Sequence, residues 1–350
     1  MKPDLTLPKY LALGYLAVVI GVLTTVSVFL GLGWTGERIH ATQNGYRGTG
    51  MDQINRPSAE RALKAANVIP EALDPASPDG DKATDVYQNV QVLKDLSAEQ
   101  FGRVMSSITE WVAPDEGCAY CHNVENMADD SLYTKNVARR MLQMTRHINN
   151  DWKDHVAATG VTCYTCHRGN PVPANIWFTD PSPQKDAGLM ATNDGMGHPT
   201  KTNASSSLPR DPLTPLLLGK EPIRMSGTTA LPSKPYGASI QTTERTYSLM
   251  MHMSTSLGVN CTFCHNSRSF SNWDQSTPQR VTAWHGIQMA RDLNTIYLDP
   301  LQPVYPPNRL GPLGDAPKAN CATCHQGANK PLLGVSMAKD YPELGGVPAP

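Results

Sequence analysis

The sequence predicts a mainly α-helical protein with extensive irregular loops. It is built of two pseudo-repeated halves behind one N-terminal transmembrane helix. Three observations predict this class. The pattern C-x-x-C-H occurs four times, as CAYCH at 118–122, CYTCH at 163–167, CTFCH at 261–265 and CATCH at 321–325, and these motifs use all eight cysteines. The helix-period segments around the first two motifs return around the last two. Residues 10–36 carry no charged side chain.

C-x-x-C-H is the attachment signal of a c-type haem. Its two thiols form thioethers to the haem vinyl groups, and the adjacent histidine reaches the iron. A zinc ribbon needs paired cysteine clusters but no histidine directly after each one. A redox dithiol would occur once, near a βαβ pattern. Four complete copies therefore point to four covalently bound haem c groups. They attach at Cys118 and Cys121, Cys163 and Cys166, Cys261 and Cys264, and Cys321 and Cys324, with His122, His167, His265 and His325 as proximal ligands. The fold class is thus a multihaem cytochrome c of two dihaem halves.

Composition agrees. Charged residues make up 17% of the 350, Phe only 5, and there are 29 Pro and 27 Gly. That is a weak recipe for a conventional core, which flat apolar haems would supplement. The formal charge is −1, and ionised haem propionates would make the loaded protein acidic. No basic run suggests nucleic acid.

In chain order, residues 1–36 are a cytoplasmic end and the membrane anchor. Tyr10–Trp34 has 25 residues, long enough to cross a bilayer with some tilt. Tyr10, Tyr15 and Trp34 suit the interfaces, and Lys2 and Lys9 place the N-terminus in the cytoplasm. A cleaved signal peptide would have a shorter apolar region and a small-residue cleavage site. Residues 37–96 form a polar extracytoplasmic segment with a short helix at Ala59–Ala66.

The first dihaem half spans 97–175. Ser97–Val112 reads as a helix, with Ser97 and Gln100 as a capping box and Pro114 and Gly117 ending it. A second helix runs from about Asn136 to Ala158, with Asn149–Asp151 as a point of interruption. Residues 176–240 read as a Pro/Ser-rich connector that wraps the surface, since so long a structureless loop is unusual inside a domain. The second half spans 241–330. Its helices are Thr243–Leu257 and a run capped by Thr277 with Pro278 at the first position. Gln143, Met144, Arg146 and Asn149 fall on Gln288, Met289, Arg291 and Asn294. Residues 331–350 read as an extended tail.

Distal ligands follow from the same helices. Methionine gives an iron a higher potential than a second histidine. Met105, thirteen residues before Cys118, serves the first haem. The helix before the third motif offers Met250, Met251 and Met253, and spacing does not choose between the first two. Met141 and Met144 are the candidates for the second. Met144 aligns with Met289, whereas Met141 aligns with Gly286, which has no side chain to ligate anything. The fourth haem then needs a ligand from elsewhere. His155 shares a face with Met141 if the helix is continuous, and His285 is its rival. His147 reads as a surface histidine, and His252, His40 and His198 as surface or loop residues.

The segments EWVAPDEGCAYCH, VARRMLQMTRHIN, GVTCYTCHRG and SLGVNCTFCHNSRSF, with the order of the four motifs, resemble the tetrahaem cytochrome subunit of purple-bacterial, quinone-type photosynthetic reaction centres. The resemblance covers roughly residues 50–330. It implies Met105, Met141 and Met250 as distal ligands of the first three haems, with His155 crossing to the fourth. It further implies a row of haems of alternating potential, docked on the extracytoplasmic face of the L and M subunits, with H in the same complex, over the special pair. The third haem would be the terminal donor. Some members carry a lipid on an N-terminal cysteine; no cysteine precedes Cys118 here, so the helix is the expected anchor.

The expected function is electron transfer, with no catalytic residues. A soluble periplasmic donor, such as a small cytochrome c or a high-potential iron–sulfur protein, would reduce the haems. The protein would sit in the bacterial inner membrane with its haem domain periplasmic, and antenna proteins are possible neighbours of the helix. Asp115, Glu116, Glu125, Asp129 and Asp130 flank the first motif and would steer a basic donor. The alternative is a respiratory or quinol-linked tetrahaem cytochrome. Such proteins are mainly bis-histidine, against which three methionine-bearing helices argue.

Overall fold

The structure, a computed structural model, describes residues 9–34, 36–45, 48, 50–181, 208–223 and 240–345. Lys2 and His198 lie outside them. The chain divides into two units, one holding 9–42 and 54–62, the other 43–53 and 63–345.

The first unit is dominated by α1, Lys9–Trp34. Its stretch Leu11–Gly31 has a mean hydropathy of 2.3 and none of it is buried. A helix that is apolar all round is a membrane span or the centre of a core, and its exposure fits a membrane anchor. Beyond it, Ser58 Oγ and Arg61 donate to the Glu37 carboxylate.

The remaining elements are mostly helical. Two short strands, β1 (His40–Asn44) and β2 (Met51–Asn55), pair and are followed by α2 (Pro57–Ala66) and α3 (Ala83–Val86). Next is α4 (Ala98–Val112), where Ser97 Oγ accepts from Gln100 N at 3.1 Å and Gln100 Oε1 accepts from Ser97 N at 3.2 Å. This reciprocal pair satisfies two donors of the helix start. Then come α5 (Tyr133–Asp151) and α6 (Lys153–Val156). They are separate helices, so His155 is not one continuous helix away from Met141. Trp152 breaks the run at φ −109°, ψ 33°. The motif helices α7 (Cys163–His167) and α10 (Cys321–His325) bracket α8 (Ile240–Leu257) and α9 (Gln279–Asp292). Thr277 does not cap α9. Its hydroxyl instead donates to Phe263 O at 2.5 Å, tying the helix to the third motif.

Two apolar clusters lie inside the second unit. One joins Val104 and Trp111 of α4 and Leu142 of α5 to Val92, Leu93, Leu332, Met337, Tyr341 and Leu344. The other joins Leu249 of α8 and Ile287 of α9 to Trp177, Leu213, Leu216 and Leu217. Two expectations fail here. The C-terminal segment through Gly345 is not extended but folded in short turns into the first cluster. Residues 213–217 of the connector do not wrap the surface but fill the second. Burying a leucine is worth about 1.5–3 kcal/mol, which outweighs the weak local preference of such Pro-rich chain. The polar segment before α4 also supplies core, through Val92, Leu93 and Leu96.

Candidate haem-binding site

Each C-x-x-C-H motif is a single tight turn. His122 N bonds Cys118 O at 2.9 Å, and His265 N bonds Cys261 O at 2.9 Å. One turn brings residues i and i+4 to one face, so the first cysteine and the histidine share a side. The first and third motifs are 3₁₀ turns, while α7 and α10 are short α-helices that end in left-handed residues, Arg168 and Gln326.

All four motif histidines share one hydrogen bond. Nδ1 lies 3.0 Å from Met127 O in His122, 2.9 Å from Asn170 O in His167, 2.9 Å from Phe270 O in His265 and 2.9 Å from Ala328 O in His325. A carbonyl can only accept, so Nδ1 carries a proton and Nε2 is the nitrogen placed to ligate a metal. Burial keeps His167, His265 and His325 neutral, with His325 brought down to about 4. Desolvation disfavours the imidazolium, and the neutral ring is the ligating form.

His155 has the same arrangement. Its Nδ1 donates to Thr282 O at 2.9 Å, and burial lowers its pKa. Its ring centroid is 6.0 Å from that of His325. Two imidazoles ligating one metal from opposite sides, at about 2 Å per bond, have centroids about 6 Å apart. His155 rests on Gly286, where a Cβ would meet its ring at 2.5 Å. The gap at Gly286 is filled by His155. His285 instead faces Asp154 at 3.9 Å.

A cavity of about 1000 Å³, lined mainly by apolar residues, contains Met105, Met141 and His155 with the motif histidines His122, His167 and His325. Its breadth and apolar walls suit flat macrocycles held edge-on by thioethers. Haem therefore fits the residues present. Met144 also lines it; the third set lies apart, since neither His265 nor Met250 lines this cavity. Met250 packs against the second cluster. The third motif is instead gripped by the β1–β2 turn. Thr262 Oγ1 donates to Asn44 O at 3.0 Å and accepts from Met51 N at 2.9 Å, and Asn260 Nδ2 donates to Met51 O at 2.9 Å.

Two of the eight motif sulfurs meet each other. Cys166 and Cys324 are joined as a disulfide, with Cα atoms 4.4 Å apart. A sulfur in a disulfide cannot also form a thioether, so at these two positions S–S stands where attachment was expected. The reason is proximity: Gln326 Nε2 bonds Cys166 O at 3.3 Å, and the second and fourth motifs are neighbours. The other six cysteines are free thiols.

Other histidines divide differently from expectation. His252 is no surface residue; it is 5% exposed, its Nε2 3.4 Å from Ser256 Oγ. His147 engages both nitrogens, Nδ1 2.6 Å from Asp151 and Nε2 2.5 Å from Asp292, so neither is open to a metal. His40 is exposed. Of the five acids, Asp130 is neutralised by Arg139 at 2.9 Å and Lys135 at 3.1 Å, and Asp129 accepts from Ser131, so both carboxyls are held below their usual range. Sequence reasoning missed the Nδ1–carbonyl bonds, whose acceptors sit three or five residues beyond each histidine.

An apolar cavity into which cysteine-flanked imidazoles open, each with Nδ1 tied to a carbonyl, defines a c-type cytochrome. The family model described as the photosynthetic reaction centre cytochrome C subunit matches residues 36–345. The chain is 52% identical over 336 residues to the photosynthetic reaction center cytochrome c subunit of Rubrivivax gelatinosus, covering 95% of this chain and 92% of that protein. It is 53% identical over 325 residues to the subunit of that name from Thermochromatium tepidum, covering 92% and 79%. With the Roseobacter denitrificans subunit it shares 44% over 359 residues, covering 95% and 94%. The chain belongs to the photosynthetic reaction centre cytochrome c subunit family.

Proposed function

We propose that this chain is a membrane-anchored tetrahaem electron carrier. It takes electrons from a soluble periplasmic donor and re-reduces the photo-oxidised special pair of a reaction centre. It makes and breaks no bond in a substrate, so it acts as a carrier and not an enzyme. When bound, haem c supplies a one-electron iron couple. The chain's own residues hold, orient and tune it.

Cys118 and Cys121, Cys163 and Cys166, Cys261 and Cys264, and Cys321 and Cys324 would hold four haems by thioethers, with Cys166 of the second motif and Cys324 of the fourth attaching as thiols once the bond between them is reduced. His122, His167, His265 and His325 ligate through Nε2. Met105, Met141 and Met250 complete three sets and His155 the fourth, which gives three high-potential sites and one lower one. The four motifs form two pseudo-repeated dihaem halves, 97–175 and 241–330. The anchor, 1–36, crosses the inner membrane with its N-terminus in the cytoplasm.

The observation that carries this reading is the Nδ1–carbonyl bond shared by all four motif histidines and His155. It leaves Nε2 of each of these five imidazoles as the nitrogen that can reach an iron. The third site is proposed to face the L and M subunits. In support, Asn44, which holds Thr262, follows Trp34 by only ten residues. Asp115, Glu116 and Glu125 steer the donor, a small cytochrome c or a high-potential iron–sulfur protein, to the first site. Purification of the complex tests the assignment. The chain is expected to copurify with L, M and H and to carry four haems by mass, with no thiol left to alkylate. Fewer haems, or a chain recovered without the reaction centre, would contradict it.

A further inference from the structure

The helices that bear Met105 and Met250 are each backed by a segment that trails a motif of the other half. Tyr341, sixteen residues beyond His325, lies along α4. Its ring meets Trp111 edge-on at 4.6 Å between centroids, and the Arg103 guanidinium covers its face at 3.9 Å. Its hydroxyl accepts from Ser107 Oγ at 3.1 Å and from Leu73 N at 3.1 Å. Arg103, Ser107 and Trp111 form one stripe of α4, and Met105 lies about 160° round the helix from its centre at 100° per residue. Tyr341 therefore holds the back of α4 while Met105 faces the cavity.

The counterpart stands behind α8. Ser248 Oγ donates to Pro209 O at 3.0 Å, and Thr246 Oγ1 to Ile223 O at 3.3 Å. Leu249 packs among Leu213, Leu216 and Leu217, and Met250 rests on the same cluster.

The two backing segments occupy the same place in register. Arg146 Nε donates to Glu343 O at 3.1 Å, and Asn149 Nδ2 to Leu344 O at 3.0 Å. Their repeat mates do the same: Arg291 Nε donates to Leu216 O at 2.7 Å, and Asn294 Nδ2 to Leu217 O at 3.0 Å. Asn149 also exchanges two bonds with Val161, and Asn294 two with Ala319, each two residues before a motif cysteine. Pro342 and Pro215 precede the two gripped pairs.

We propose a reciprocal exchange. Residues 337–345, which trail the fourth motif, position Met105; residues 208–218, which trail the second, position Met250. Tyr341 and Leu213 are positioning residues that act through α4 and α8. The inference rests on the reading of Met105 and Met250 as iron ligands.

The test uses the full chain in reaction-centre membranes, with spectrally resolved redox titrations. Tyr341→Ala is expected to lower the first haem's midpoint by about tenfold in its one-electron equilibrium, 59 mV. The absorption signature of methionine ligation should weaken with it. Tyr341→Phe, which keeps the ring, restores most of both, and the fourth haem does not move. A first haem unchanged in Tyr341→Ala, or a shift at the fourth, overturns the proposal. Met105→Ala separates the two layers: if it leaves the first haem unchanged, the ligand reading falls, and this inference with it. If it shifts that haem and Tyr341→Ala does not, only the inference falls. Should Tyr341→Ala yield no loaded chain, Leu213→Ala reads the other arm. It is expected to lower the third haem and spare the second, and an unchanged third haem overturns the exchange.

Discussion

Replacing Gly286 by alanine puts a methyl carbon 2.5 Å from Cε1, 2.8 Å from Nδ1 and 3.1 Å from Nε2 of His155. Ordinary contact begins at 3.4 Å, so the ring or α9 must yield by about 0.9 Å, the difference between the contact limit and the shortest of these distances. Neither yields freely. The ring is tied to Thr282 O at 2.9 Å, and Thr282 is itself in α9. Overpacking of this kind costs about 1–3 kcal/mol, a factor of about five to 150 in an equilibrium. Ligation by His155 should weaken by that factor. The assay is a potentiometric titration of the Gly286→Ala complex with the α-bands resolved. The fourth haem is expected to change in midpoint and spectrum while the second, whose motif begins eight residues after His155, stays as it was. A shift confined to the second haem, or a titration identical to wild type, would refute the crossed ligation.

The third motif should loosen in Thr262→Val, which strands the Met51 N–H and the Asn44 carbonyl at a cost of about 1–3 kcal/mol; limited proteolysis between Asn44 and Met51 is expected to accelerate. Glu343→Gln leaves the buried Arg103 without its charge partner at 3.3 Å, so guanidinium unfolding should show a loss of about 3 kcal/mol, the low end for a broken buried pair because three carbonyls still bind Arg103. Neutralising Asp115, Glu116 and Glu125 should slow reduction by a basic donor and flatten its ionic-strength dependence in stopped flow. Asp130→Asn should leave that dependence unchanged, because Lys135 and Arg139 already neutralise the carboxylate.

The attachment motifs, the Ser97–Gln100 box and the place of Met105 were legible because each is local: a spacing, a cap or one helix. The vacancy at Gly286 was legible from the internal repeat, whereas the residues alone left His155 and His285 as rivals and only the family resemblance favoured His155. The route by which His155 arrives was not, since the break at Trp152 has no sequence signal stronger than the Asn-Asn-Asp before it. The C-terminal turns and Leu213–Leu217 were misread for a physical reason. Their burial is decided by partners 100 or more residues away in the first case, such as Arg103 and Arg146, and by α8 and α9 in the second. Local periodicity cannot report such pairing. His252 was misread although it lies on the one buried stripe of α8, with Ser248, Leu249 and Ser256, because that stripe carries three polar residues and only one leucine. The Nδ1 acceptors were invisible because any residue supplies a backbone carbonyl.

The central claim is that this chain feeds electrons to a photo-oxidised pigment pair. It is tested most directly by a single-flash absorbance measurement in native membranes poised so that the haems proposed to carry methionine are reduced. Haem oxidation is expected to appear with the same time course as the recovery of the special pair, and to be lost when the third motif's His265 is replaced. Recovery of the special pair with no haem oxidised would contradict the account.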